Sequence, residues 1–141
     1  MKHLSGPDLC HCLAARRSAR YLTRLYDRHL SASGLSISQF SVLALVDQHP
    51  AISIAALAEF MVMERTTLLR ALKPLRDGGL LLCEAHGPKS TLEFSLSAEG
   101  RSKHFEAEPY WRAAQKEFEE YAGKERAADL RGTILDVVFS E

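Results

Sequence analysis

The 141-residue sequence lacks a net charge: 18 lysines and arginines face 18 aspartates and glutamates. Its charge sum therefore gives no sign of a polyanionic partner. Long apolar runs are also missing. The longest stretches, Phe40 to Val46 and Ala51 to Met63, fall short of the roughly 18 residues a membrane span requires, and Glu59 interrupts the second. The opening Met-Lys-His-Leu-Ser-Gly-Pro-Asp has no apolar segment of the kind a secretory signal uses. The expected location is the cytoplasm, where the three cysteines would be thiols. No internal repeat or low-complexity tract is present. The marks of an enzyme are missing too. There is no G-x-S-x-G, no phosphate-cradling glycine loop and no carboxylate pair in a clear catalytic setting. The six histidines, at 3, 11, 29, 49, 86 and 104, show no ligand-like spacing. No catalytic residue, metal site or cofactor is expected.

What is present fits one domain with its extensions, and an apolar fraction of 46% suffices for a buried core. Charge is distributed unevenly. Residues 1–30 carry six basic and two acidic side chains, whereas residues 101–141 carry seven and nine. Leu9, Leu13, Leu22, Leu25 and Tyr26 predict a helix over about Asp8 to Leu30, with Arg16, Arg20, Arg24 and Arg28 recurring along another side. After Ser33-Gly34, Ser36 and Gln39 form the S-x-x-Q pattern of a capping box. Leu35 and Phe40 are placed as a hydrophobic staple, which predicts a helix to about Gln48. Ser53 predicts the cap of a short helix, Ile54 to Phe60. A turn at Val62-Met63 leads to another, Glu64 to Asp77, stopped by Gly78-Gly79. Pro74 removes a donor to the Arg70 carbonyl and predicts a kink near that helix's end.

The period then changes. Leu80 to Cys83 is a short apolar run, and Thr91 to Leu96 alternates, with turn chemistry from Ala85 to Ser90 between them, so a β-hairpin is predicted. Ser97 is placed to cap a long helix, Ala98 to Tyr121, bent at Pro109. Gly123 separates a last helix, Lys124 to Val138, with Ala127, Leu130, Ile134 and Val137 or Val138 on one stripe. The expected fold class is mainly α (α+β): a winged helix-turn-helix lobe flanked by N- and C-terminal helices. The segments are 1–34, 35–97 and 98–141, integrated in one domain. In such a lobe the second helix of the motif enters the major groove. Leu68, Ala71, Leu72 and Leu75 are expected to face inward. Thr66, Arg70 and Lys73 are expected outward, with Arg65, Thr67 and Arg76 beside them. Arginine can grip guanine in a bidentate way, threonine suits bases or phosphates, and lysine suits a phosphate. A solvated amphipathic helix would show the same face.

The segment from Leu57 through Met63-Glu-Arg-Thr-Thr-Leu-Leu-Arg-Ala-Leu-Lys-Pro-Leu-Arg-Asp-Gly-Gly-Leu80, the hairpin, and Leu96-Ser-Ala-Glu-Gly100 resemble the MarR family, as does Leu35 to Leu43. The resemblance spans roughly residues 9 to 138. It implies a homodimer with two recognition helices on successive major grooves of a pseudo-palindromic double-stranded operator, acting as a repressor released by a small-molecule effector. At the wing tip the chain departs from the family. Where members carry an Asp and an Arg it has Gly87-Pro88-Lys89-Ser90, so Lys89 is the basic candidate and a phosphate contact is expected of it.

Dimerisation is also expected from the residues themselves. The first and last helices carry apolar stripes that a small lobe could not cover, and a twofold pair matches half-sites about 34 Å apart. The arginines of the first helix could meet Glu125 and Asp129, DNA phosphates or solvent. Tyr21, Tyr26, His29, Phe40, Tyr110 and Trp111 are the candidate effector lining, as aromatic walls with polar handles suit an amphipathic ligand; ordinary core positions would look alike. Cys10-His11-Cys12 admits three readings: a thiol redox sensor, for which some hydroperoxide-sensing relatives are a precedent, a soft-metal site, or packed or spare thiols. Cys83 is expected in the core. A dimeric winged helix used only for protein contacts is a further alternative.

Overall fold

The computed structural model describes residues 4–86 and 91–140. A 3-10 turn at Gly6–Leu9 leads into α1 (His11–Leu30). Then follow α2 (Ile37–Gln48), β1 (Ile52–Ser53), α3 (Ile54–Met61), α4 (Arg65–Asp77), β2 (Leu81–His86), β3 (Thr91–Leu96), α5 (Ala98–Ala122) and α6 (Lys124–Phe139). The chain forms two compact units, residues 30–108 and residues 1–29 with 109–141. The divisions fall within α1 and α5, the second at Pro109, which has no N–H for the helix ladder.

In the unit of residues 30–108, local chemistry sets the element boundaries. The Ser36 hydroxyl accepts from the Gln39 N–H at 3.1 Å, while the Gln39 side chain accepts from the Ser36 N–H at 3.0 Å. That capping box starts α2 as expected, and the staple residues Leu35 and Phe40 are both buried. Ser53 caps α3 by accepting from Ala56 N–H at 3.1 Å. Helix α4 passes through Pro74 and closes with two reversed hydrogen bonds, Leu80 N–H to the Leu75 carbonyl and Gly79 N–H to that of Arg76. Gly79 takes the left-handed conformation this Schellman ending needs, at φ 74°.

The strands form one antiparallel sheet in the order β1-β3-β2. Two-residue β1 lacks a local signal and exists through pairing of Ile52 with Phe94 and Ser53 with Glu93. Strand β2 is longer than predicted: Ala85 and His86, expected in the turn, pair with Leu92 and Thr91. Phe94, at the sheet centre, is fully buried with Leu43, Leu57, Leu68 and Leu72. Ser97 ties the hairpin to α5. Its hydroxyl donates to the Gly79 carbonyl at 2.5 Å and accepts from Gly100 N–H at 2.9 Å. Gly100 fits there because a Cβ would lie 2.1 Å from the Leu80 carbonyl oxygen.

The other unit contains most of α1, the second part of α5, and α6. Leu25, Ala114 and Ala127 are its buried positions, whereas Leu130, Ile134, Leu135, Val137, Val138 and Phe139 are all exposed along α6. Arg17 pairs with Asp8 at 2.8 Å and Arg28 with Glu117 at 2.5 Å. Of the alternatives for the arginine stripe, pairing with Glu125 and Asp129 is not formed among the described residues, and Arg28 pairs with Glu117 of α5 instead. Among the described residues no single helix is long and apolar enough to cross a membrane.

Candidate nucleic-acid interface

Helix α4 presents the expected side chains together. Arg65, Thr66, Thr67, Arg70, Lys73 and Arg76 are all exposed, while Leu68, Leu72 and Leu75, spaced four and three apart, are buried. Ala71 departs from expectation. It is exposed, because the narrow Leu68–Leu72–Leu75 stripe fills the contact and leaves position 71 outside it. Arg65, Arg70 and Arg76 make no ion pair among the described residues. Lys73 does: its Nζ lies 2.6 Å from Asp77 Oδ2, a partner the sequence reading missed. Spacing of four on a helix is the signal that could have found it.

The turn that positions α4 is tight. Val62 ends α3 in the left-handed region at φ 53°, with its N–H directed at the Ala58 and Glu59 carbonyls. A β-branched residue there is strained. The strain is held locally by the Met63 N–H bond to the Ala58 carbonyl, at 3.0 Å.

Between α4 and β2 lies an open groove, to which α4 contributes Lys73, Arg76 and Asp77 and the hairpin Leu81, Cys83 and Leu92. Cys83 is half-buried there and not in the core, since β2 turns it toward this groove rim. The wing strands carry acids. Glu84 and Glu93 stand as a like-charge pair across the hairpin, an arrangement that disfavours strand pairing, and His86 Nε2 lies within hydrogen-bond reach of both, at 3.0 and 3.3 Å. Lys89 lies outside the described residues.

The six candidate effector residues are divided between the units, five in the unit of residues 1–29 with 109–141 and Phe40 in the other. Phe40 is buried with its ring centroid 5.0 Å from that of His104. The Tyr26 hydroxyl donates to Gln115, and burial, aided by Glu119 and opposed by Arg131, pushes its phenol above the usual value. His29 Nε2 lies 3.4 Å from Glu117 Oε1. The Arg28 hydrogen bond, chiefly, holds the Glu117 carboxyl below its ordinary value against the opposing effect of burial; Arg28's charge and His29 add to the lowering. Tyr21 stacks obliquely near Tyr121, at 6.3 Å, in a groove of about 870 Å³ with Leu22, Phe118 and Leu130. Tyr110 is exposed and Trp111 half-buried. Cys10 and Cys12 are both exposed, so they are not packed thiols. The Leu13 N–H donates to Cys10 Sγ at 3.4 Å. Among the described residues no three His, Cys, Asp or Glu side chains are gathered to hold a metal ion, so a metal-sensing role for Cys10 and Cys12 finds no preformed site.

A family model described as the MarR family matches residues 35–85. The M. tuberculosis transcriptional regulator MosR, solved in complex with DNA, is 35% identical. The match covers 92% of this chain and 93% of that one at a TM-score of 0.81. A MarR-family transcriptional regulator from Rhodococcus sp. RHA1 shares the fold at 18% identity, with 98% and 100% coverage and a TM-score of 0.80. So does CouR from Rhodococcus jostii RHA1, solved with p-coumaroyl-CoA, at 18% identity, 91% of each chain and a TM-score of 0.77. No curated protein sequence matches significantly. The matched segment runs from the residue before the α2 cap into β2, and the identity to MosR extends over nine-tenths of both chains; the protein belongs to the MarR family of transcriptional regulators.

Proposed function

We propose that this protein is a sequence-specific DNA-binding regulator acting as a homodimer, a repressor released by a small-molecule effector and without enzymatic turnover. The carrying observation is the outer face of α4. Three unpaired arginines and two threonines stand on a helix whose opposite side is locked into the core. Arg70, near the helix middle, is the candidate for bidentate contact with guanine, flanked by Thr66 and Thr67 for bases or phosphates. A DNA-bound relative of 35% identity supports the same use here. The exposed apolar stripe of α6 supports the homodimer, which would set two α4 helices about one DNA turn apart on a pseudo-palindrome. The reading places the protein in the cytoplasm, with no membrane partner. Segments 1–34 and 98–141 would serve dimerisation and 35–97 DNA.

Selection of bound duplexes from a genomic fragment pool, followed by titration at several salt concentrations, tests this. Affinity should fall steeply with salt as phosphate neutralisation releases counterions. Failure to recover any duplex would leave a winged helix used for protein contacts.

For the effector, Tyr21, Tyr26, His29, Tyr110 and Trp111 of the unit of residues 1–29 with 109–141 are the proposed lining, with aromatic surface and polar handles suited to an amphipathic ligand. A ligand-bound fold relative, CouR, supports the class of mechanism. Any effector must bind the DNA-incompetent state more tightly. One observation favours a second reading: Cys10 and Cys12 are both exposed. Peroxide would oxidise two such thiols to a disulfide, taking up their two electrons and protons and leaving as water. Oxidant should then weaken DNA binding in the parent and leave a Cys10→Ser, Cys12→Ser protein unaffected.

A further inference from the structure

Asp77 is the one acid within α4, which otherwise carries Arg65, Arg70, Lys73 and Arg76. It is the helix's last residue, and both it and Lys73 are well exposed, at 64% and 73% of their side-chain surface. Nothing about helix stability favours it. The C-terminal carbonyls carry partial negative charge, so an aspartate in the last turn is disfavoured. A lysine placed N-terminal to its acid is also the weaker orientation of such a pair. The Schellman ending is already completed by backbone groups of Gly79 and Leu80. What Asp77 does is hold one of the four cations of the proposed reading face, Lys73, at 2.6 Å.

We propose that Asp77 is a specificity-determining residue that positions Lys73, an inference that rests on the α4 reading above. Non-cognate DNA is held almost wholly by phosphate contacts, and each neutralised phosphate adds about 0.9 to the salt slope. With Lys73 engaged by Asp77, loose docking gains one contact fewer per subunit, and the Asp77 carboxylate repels phosphates that approach. Cognate docking, in which Arg70 and the threonines fix the helix in the groove, holds Lys73 near a phosphate long enough for the exposed pair to exchange. Exposed pairs are weak enough to allow this. Asp77 thus lowers non-specific binding more than specific binding, and selectivity is their ratio.

The test uses the full-length protein with an operator duplex obtained by selection and a scrambled duplex, titrated across a range of salt. Asp77→Asn should raise affinity for the scrambled duplex about three- to tenfold and for the operator less than twofold. It should also steepen the non-specific salt slope by about 0.9 per subunit. Asp77→Glu should behave as the parent, and Lys73→Ala with Asp77→Asn should lose most of the gain. The melting temperature of Asp77→Asn should stay or rise, since a merely structural role would lower it. Unchanged selectivity in Asp77→Asn, a gain that persists without Lys73, or a lowered melting temperature would each overturn the inference while leaving the α4 reading intact. A selection that recovers no operator duplex for the parent protein would overturn the α4 reading and, with it, this inference.

Discussion

Helices α4 and α6 leave surfaces of opposite character uncovered. Helix α4 buries Leu68, Leu72 and Leu75 within its own unit and is left with a polar, cationic surface. Helix α6 buries Ala127, yet Leu130, Ile134 and Val138 stay 43–47% exposed. Apolar surface gains about 25 cal/mol per Å² on leaving water, so an uncovered stripe of this length favours another protein surface. The cationic face of α4 has no such drive toward protein; its complement is a polyanion. The surface left over after packing thus indicates the kind of partner each helix takes.

The largest expected effect lies on α6. Ile134→Glu should convert the dimer to monomer in light scattering and lower operator affinity about 100-fold or more, since two linked half-site contacts become one. A variant that stays dimeric would place the interface elsewhere and break the contrast. Next comes Leu72→Ala. This fully buried residue should cost about 2–5 kcal/mol in denaturant unfolding. A cost near zero would mean that α4 is not seated by that stripe. Arg70→Ala should leave unfolding unchanged while weakening operator binding by about 1–3 kcal/mol and relaxing sequence preference. Equal affinity and preference would remove Arg70 from the reading face.

The smallest effect concerns Glu117. Its carboxyl is held below the unfolded value, chiefly by Arg28, so its contribution is present above the ordinary carboxylate range and lost as pH falls through the lowered value. Glu117→Gln should therefore differ from the parent near neutrality and converge with it in acid. Salt should shrink the difference, as the pair is exposed. A gap that widens in acid would contradict the assignment.

Much of this was legible in the chain. The capping pattern Ser36–Gln39, the Ser53 cap and Gly78-Gly79 act over a few residues, and each appears where the sequence places it. The exposed polar side of α4 was legible as well, since a 3.6-residue period separates Leu68 and Leu72 from Arg70 and Lys73. Ala71 was misplaced because a helical wheel ranks directions but does not know how wide the neighbouring contact is. Strand β1 was missed because two residues have no periodicity. Cys83 was placed in the core because an apolar run does not reveal which strand residues meet a groove.

Local chemistry determined the helices, their ends, the hairpin and the polarity of each helix face, because capping, turn conformation and side-chain period all act between near neighbours in the chain. The tertiary structure decided what depends on distant residues meeting: Ile52 against Phe94, Ser97 on Gly79, Gly100 against Leu80, and Arg28 with Glu117. It also decided which apolar stripe was consumed by the fold and which remained, since burial depends on what packs opposite and no single helix carries that information.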